Sequence, residues 1–160
     1  DEPLREFTYQ EVIEGKGEWN VPVGSVQPAL FKNLATGMFE QFAFVESTTN
    51  AELDATLKPE IKDLQFSLPE QTRSDFYEVW INYRFQLFDT QGTAIADWAL
   101  PAYGKASKKD FGNASSGVEA AAVAACRDAM AFFAINFSKE PQVKAWLQNR
   151  VASTAAVKGS

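Results

Sequence analysis

Between Phe76 and Leu87 the chain alternates strictly. Every odd position from Tyr77 to Leu87 is apolar or aromatic, and the even positions between them are Glu78, Trp80, Asn82, Arg84 and Gln86. A period of two is the signature of a β-strand with one buried and one wet face. The run meets Asp89–Thr90–Gln91–Gly92 and then a second apolar run, Thr93 to Ala102, which predicts an antiparallel hairpin. Such a hairpin calls for a sheet covered on one face only. Two registers are open. With a four-residue loop over 89–92, Trp98 falls opposite Tyr83, Ile81 opposite Leu100, and Arg84 opposite Asp97 on the wet side. With a three-residue loop and a bulge at Gly92 the pairing moves by one, and Asp97 meets Phe85 on the core face. The first is preferred because it keeps every charge out of the core.

The flanking segments read as follows. Phe7, Tyr9 and Ile13 alternate in a short strand, followed by a loop at Glu14–Gly17 and an irregular stretch to about residue 24. Ser25 is a good N-cap, and Pro28 suits a first helical turn. The helix then predicted runs to Met38, with Leu30, Phe31, Leu34 and Met38 on one stripe. Phe42–Ala43–Phe44–Val45 reads as a strand. Leu57 to Leu68 reads as another, in which Leu57 and Ile61 share one parity and Leu64, Phe66 and Leu68 the other. That switch predicts a bulge near Lys62–Asp63, and Pro59 predicts an edge position. Gly104 to Gly117 reads as a long polar loop. A helix from Ser115 or Ser116 to about Ser138 follows, with Val118, Ala122, Ala125, Ala129, Phe132, Phe133 and Asn136 along one stripe. Pro141 restarts a short helix with Val143, Trp146 and Leu147 facing inward, and residues 152–160 read as a frayed tail.

With 160 residues the chain is long enough for one domain with a real core, and 1–160 is read as a single domain. A net charge of −6 speaks against general nucleic-acid binding and against adsorption to anionic lipid. The chain has no histidine, which removes Ser-His-Asp and Cys-His constellations and His-ligated zinc. Its single cysteine, Cys126, precludes an internal disulfide. No run reaches the apolar length of a transmembrane helix; Val118 to Phe137 is broken by Arg127, Asp128 and Asn136.

No catalytic signature stands out. Cys126 lies deep in a helix without a histidine partner, so it reads as a small buried side chain rather than a reactive thiol. Glu60 with Asp63, and Asp89 with Asp97, lack the density of a calcium loop and read as a strand edge and a turn. No cofactor or metal is expected. Asn113–Ala114–Ser115 and Asn136–Phe137–Ser138 match the glycosylation triplet weakly. The better leads are surface aromatics and cations. Trp80 points to the wet face, Tyr103 closes the second hairpin strand, and Trp19 lies in a loop. With Arg84, and with Lys108 and Lys109 of the polar loop, Trp80 and Tyr103 form the expected partner-binding set. The ordinary alternative is that Trp80 is covered by the chain's own loops.

The stripe Leu30–Phe31–Leu34–Met38 leads into Phe42–Ala43–Phe44–Val45 and then into Ala51–Glu52–Leu53–Asp54–Ala55–Thr56–Leu57–Lys58–Pro59–Glu60–Ile61. This resembles the opening of small α/β bacterial envelope lipoproteins: the penicillin-binding-protein activators, the curli-secretion lipoprotein and the amino-terminal domain of TolB. The later hairpin, Trp98, a glycine-containing loop and an alanine-rich helix also resemble small outer-membrane lipoproteins. The resemblance covers about residues 25–137 and carries no functional residue. It implies an accessory protein that binds other envelope proteins. It also implies a periplasmic location, with outer-membrane anchoring if a lipid-bearing cysteine precedes Asp1.

The fold class expected is α+β, a four- to five-stranded mainly antiparallel sheet with two main helices packed on one face. The function expected is a non-enzymatic adaptor of the envelope. The alternative is a carrier of a small apolar ligand held between sheet and helix, which the 13 phenylalanines could line.

Overall fold

In the computed structural model, which describes residues 4–158 and only the backbone of 153–158, the chain opens with a hairpin of β1 (Tyr9–Ile13) and β2 (Gly17–Val21). Gly15 and Gly17 take the positive φ that the tight turn requires. The stretch read as one strand and an irregular segment is therefore a two-stranded sheet. Trp19 lies on β2 opposite Glu11 rather than in a loop, and its ring packs against Phe66 at 5.3 Å.

Helix α1 spans Gln27–Met38 with Pro28 in its first turn, as expected. A 3-10 turn at Gly24–Val26 precedes it, so Ser25 is not its cap. The Ser25 hydroxyl donates instead to the Pro22 carbonyl. The connection 39–55 is irregular. Phe42–Val45 forms no strand, because no neighbouring strand offers a ladder to those residues. The helix-to-strand outline behind the family resemblance is thus not formed there.

The main sheet is antiparallel, in the order β3 (Thr56–Ser67), β4 (Phe76–Phe88) and β5 (Ala94–Ser107), with a short helix α2 (Pro69–Thr72) between β3 and β4. The five strands among the described residues thus divide into sheets of two and three, which corrects the expectation of one four- to five-stranded sheet. Strand β3 is an edge, and its register shifts between Ile61 and Asp63 as the parity switch required. The bulge returns Leu64 and Phe66 to the same core side as Ile61.

The β4–β5 register departs from the preferred one in an instructive way. Asp89 N donates to the Thr93 carbonyl, and Gly92 takes a positive φ, so the loop is the three-residue form. A second irregularity follows, since Phe88 pairs Ala94 while Leu87 pairs Ala96. The two single shifts add. Tyr83 faces Leu100, Phe85 faces Trp98, and Ile81 faces Ala102. Because the offset is two residues, every side chain keeps its expected face. Asp97 stays on the wet side, opposite Gln86.

Helix α3 (Ala114–Asn136) lies along β4 and β5 and is capped by Asn113, whose Oδ1 accepts from Ser116 N at 2.9 Å. Its buried face is Gly117, Val118, Ala121, Ala122, Ala125, Cys126, Ala129, Met130 and Phe133. Phe132, read as part of that stripe, is exposed, being one position off the buried arc. Small residues let the backbones meet. A Cβ on Gly104 of β5 would stand 2.1 Å from the Ala121 carbonyl oxygen. Toward the helix end, Phe85, Trp98, Phe133 and Phe137 fill the widening gap as a run of stacked and tilted rings.

The helix arrangement also differs from expectation. Helix α1 seats mainly on α3, reaching β4 through the Phe31–Phe85 ring contact. A further helix, α4 (Pro141–Lys158), packs beside β5 with Val143 buried, and is helical through residues 152–158 rather than frayed. Residues 159 and 160 lie outside the described residues. The polar loop is shorter than expected, because β5 continues to Ser107 and a 3-10 turn covers Lys108–Asp110. Among the described residues no helix is long and apolar enough to cross a membrane.

Candidate functional site

The face of the three-stranded sheet away from α3 is open. Strand β4 sends Glu78, Trp80, Asn82, Arg84 and Gln86 to it; β5 sends Asp97, Ala99, Pro101, Tyr103 and Lys105. Trp80 and Tyr103 are direct cross-strand partners with ring centroids 5.5 Å apart and planes tilted by 41°. They remain 42% and 38% exposed, so the chain's own loops do not cover Trp80.

The pair is held in place by neighbours on the same face. The Tyr103 hydroxyl donates to Glu78 Oε1 at 2.6 Å, and Ser67 Oγ lies 3.5 Å from Glu78 Oε2. The bond to the Glu78 carboxylate pushes the Tyr103 hydroxyl up to about 12, with desolvation adding to it. One position further along β4 on this face comes Asn82, and then Arg84. The Arg84 guanidinium grips Asp97 with two parallel bonds, Nε to Oδ1 at 2.8 Å and Nη2 to Oδ2. This is diagonal across the strands, since Arg84 faces Ala99. The bond to Arg84 holds the Asp97 carboxyl below its usual range, and Gln86 donates to the same carboxylate. Beyond it on β3, Glu60 sits between Lys58 at 2.8 Å and Lys62 at 2.7 Å. Their hydrogen bonds hold Glu60 at about 2. The result is an aromatic ridge beside the small residues Ala99 and Pro101, framed by neutralised charges.

Of the five expected partner-binding residues, Trp80, Tyr103 and Arg84 share this face. Lys108 and Lys109 do not join them. Lys108 follows the end of β5 and donates to Glu70 Oε1 of α2 at 2.8 Å, while Lys16 of the β1–β2 turn reaches Glu70 Oε2 at 3.3 Å. Glu70, held at about 2 first by its Lys108 bond, therefore clamps three surface segments together. Lys109 lies in the exposed 3-10 turn, where its backbone N–H donates to Ser107 Oγ. The carboxylate pairs considered from sequence do not converge. Asp89 is spent on the loop, accepting from Gln91 N and Thr93 N, and Asp97 is spent on Arg84. Among the described residues no group of three or more His, Cys, Asp or Glu gathers as a metal site.

A second polar cluster lies in the core, and nothing in the hydrophobic periodicity marks it. Gln27 is fully buried at the start of α1. Its Nε2 donates to the Val23 carbonyl at 3.1 Å and lies 3.2 Å from Cys126 Sγ. The Tyr83 hydroxyl donates to Gln27 Oε1 at 3.1 Å and stands 3.3 Å from the same sulfur. Burial pushes both the Tyr83 hydroxyl and the Cys126 thiol up from their usual ranges. The cluster ties α1, β4 and α3 together, and the raised thiol is a poor nucleophile.

No family model matches this sequence, and no curated protein matches it. Among solved structures, the chain is similar to a crystal structure from Caulobacter crescentus CB15 provisionally described as a lipoprotein. The identity is 12% and the TM-score 0.47, over 80% of this chain and 85% of that one.

Proposed function

We propose that this protein is a non-enzymatic accessory protein of the bacterial envelope that binds a protein partner across the open face of its three-stranded sheet. The observation that carries the reading is the Trp80–Tyr103 pair, a large aromatic surface left in water, with Tyr103 fixed in orientation by Glu78. Exposed, pre-ordered aromatics beside an arginine have the make-up of binding hot spots, because they lose little side-chain entropy on docking. The envelope location rests on the sequence resemblance alone.

The carrier reading is less favoured. The layer in which an apolar ligand would sit is occupied, with α3 touching β5 backbone at Gly104 and the Phe85–Trp98–Phe133–Phe137 rings filling the space beyond.

The test is an affinity capture from an envelope extract with the wild-type chain and its Trp80→Ala variant as baits. A protein retained by the wild type and lost with the variant, whose thermal melt is unchanged, supports the face as the site. Equal capture by both baits refutes it. Native mass spectrometry of the purified chain covers the carrier reading, which requires a co-purified apolar molecule.

A further inference from the structure

A different surface has no role in the proposal above. Residues 39–55 cross from α1 to β3 without regular structure, yet they are pinned at three places. The Phe39 ring meets Phe137 edge-on at 5.8 Å. Thr49 lies against the β4–β5 turn, where a Cβ on Gly92 would come 2.7 Å from its hydroxyl. Asp54 accepts from Arg150 of α4 through both its carbonyl and its carboxylate. Between the first two anchors Phe42, Phe44 and Val45 are exposed, Phe44 by 66%, and the Phe42 and Phe44 rings meet edge to face at 6.2 Å.

The charges of the segment that carries these rings have one sign. From residue 33 to residue 57 there is no lysine or arginine, while Glu40, Glu46, Glu52 and Asp54 all fall within that span. Asp54 is paired with Arg150. Glu40, Glu46 and Glu52 are exposed, and no ion pair joins them to another described residue. Glu60, Glu70 and Asp97, by contrast, each face a lysine or arginine.

We infer that the 39–46 segment is a docking surface for a basic amphipathic peptide segment of a partner protein, with apolar side chains on Phe42, Phe44 and Val45 and lysine or arginine against Glu40 and Glu46. The charge pattern selects this occupant. A second copy of the chain would bring the same glutamates face to face, and an anionic lipid surface would be repelled by them. A cationic segment with one apolar face satisfies both features at once.

The test uses the full chain and a fluorescein-labelled peptide of about 18 leucine and lysine residues patterned as an amphipathic helix. Anisotropy titrations are run on the wild type, on Phe42→Ser/Phe44→Ser and on Glu40→Gln/Glu46→Gln. All of these side chains are exposed, and thermal melts of the variants check the fold. The inference expects saturable binding that the phenylalanine variant weakens by about tenfold or more. It also expects the glutamine variant to weaken binding and flatten its salt dependence. A peptide with glutamate in place of lysine should not bind. Equal affinity of wild type and phenylalanine variant overturns the inference. So does equal binding of an oligolysine without leucine, which would make the contact charge alone. Concentration-dependent dimerisation abolished by Phe42→Ser/Phe44→Ser would overturn it in favour of a second copy as the occupant.

Discussion

Replacing Gly104 by alanine adds one methyl group at the point where α3 rests on β5. That methyl carbon would stand 2.1 Å from the Ala121 carbonyl oxygen and 2.2 Å from the Ala125 amide nitrogen. Both are backbone atoms of a helix that is buried along this face, so neither can swing aside as a side chain would. Ordinary contact needs about 3.4 Å or more, so helix and strand must part by about an ångström. Ala121, Ala122 and Ala125 pack here. If each makes on the order of ten contacts of about 0.1–0.2 kcal/mol, a gap that forfeits a quarter to a half of that attraction costs about 0.8–3 kcal/mol. Strain in the surrounding packing raises this toward the upper part of the usual range for overpacking, about 1–3 kcal/mol. Alanine restricts the unfolded chain more than glycine does, which returns about 0.5–1 kcal/mol. The net expectation is a destabilisation of about 2 kcal/mol.

The assay is urea unfolding followed by circular dichroism, with the midpoint falling and the slope unchanged. Gly37→Ala is the matched control, because the same methyl group on α1 meets nothing within 4 Å. It should leave stability level or raise it by up to about 1 kcal/mol, since alanine is the better helix former. If Gly104→Ala changes stability by less than about 0.5 kcal/mol, the close approach of helix and strand is wrong.

Three further outcomes follow from the buried cluster and the surface charges. Tyr83→Phe removes a hydroxyl bonded to Gln27 and costs about 1–2 kcal/mol, read from urea midpoints; no change would mean that the Gln27 amide is satisfied without it. Cys126 should resist a disulfide reagent such as dithionitrobenzoate at pH 8 and react only as fast as the protein opens, because its thiol is buried and its ionisation pushed up; rapid labelling of the native protein would refute that. Glu60 is held at about 2 when folded, below its unfolded value, so its contribution is present above about pH 4.5 and is lost as pH falls toward 2. Melting temperatures of Glu60→Gln should therefore fall less steeply than wild type across that window, and parallel curves would show that Lys58 and Lys62 stabilise nothing there.

What the sequence disclosed, it disclosed where one rule acted alone. The alternation from Tyr77 to Leu87 fixed the faces of β4, and the parity switch around Lys62 located the bulge in β3. The β4–β5 register needed two irregularities to be seen together, at Gly92 and again beside Ala94. Each is invisible in the hydrophobic pattern because their sum restores it. Phe42 to Val45 looked like a strand because two phenylalanines alternate, but a strand also needs a partner ladder, and that is a property of the whole fold. Trp80 was legible as a wet-face aromatic and Tyr103 as an exposed one at the end of the second hairpin strand, yet their contact depended on the register. Gln27 was not legible at all. A glutamine in a helical first turn is ordinary, and only the arrival of Tyr83 and Cys126 from elsewhere in the chain makes it a buried partner.

The sheet edges bear on how a partner could engage this fold. Extended peptides often bind by adding a strand to an open edge, where backbone groups supply the affinity. Here both edges are obstructed. On β5 the Tyr103 amide donates to Asp128 Oδ2 and the Asp97 amide to Gln142 Oε1, each at 3.3 Å, while Pro101 between them has no N–H to offer. On β3 the edge carries Pro59, the bulge at Lys62 and the flanking Lys58, devices that discourage strand pairing. A partner is thereby left with side chains rather than backbone, and on the open face the largest of these are Trp80 and Tyr103. Affinity for that face should then depend on ring area and on the Glu78 bond that orients Tyr103, and be nearly indifferent to substitutions along β3 that preserve its pairing with β4. A partner whose binding tracked β3 substitutions instead would point to edge recognition in spite of the proline and the bulge.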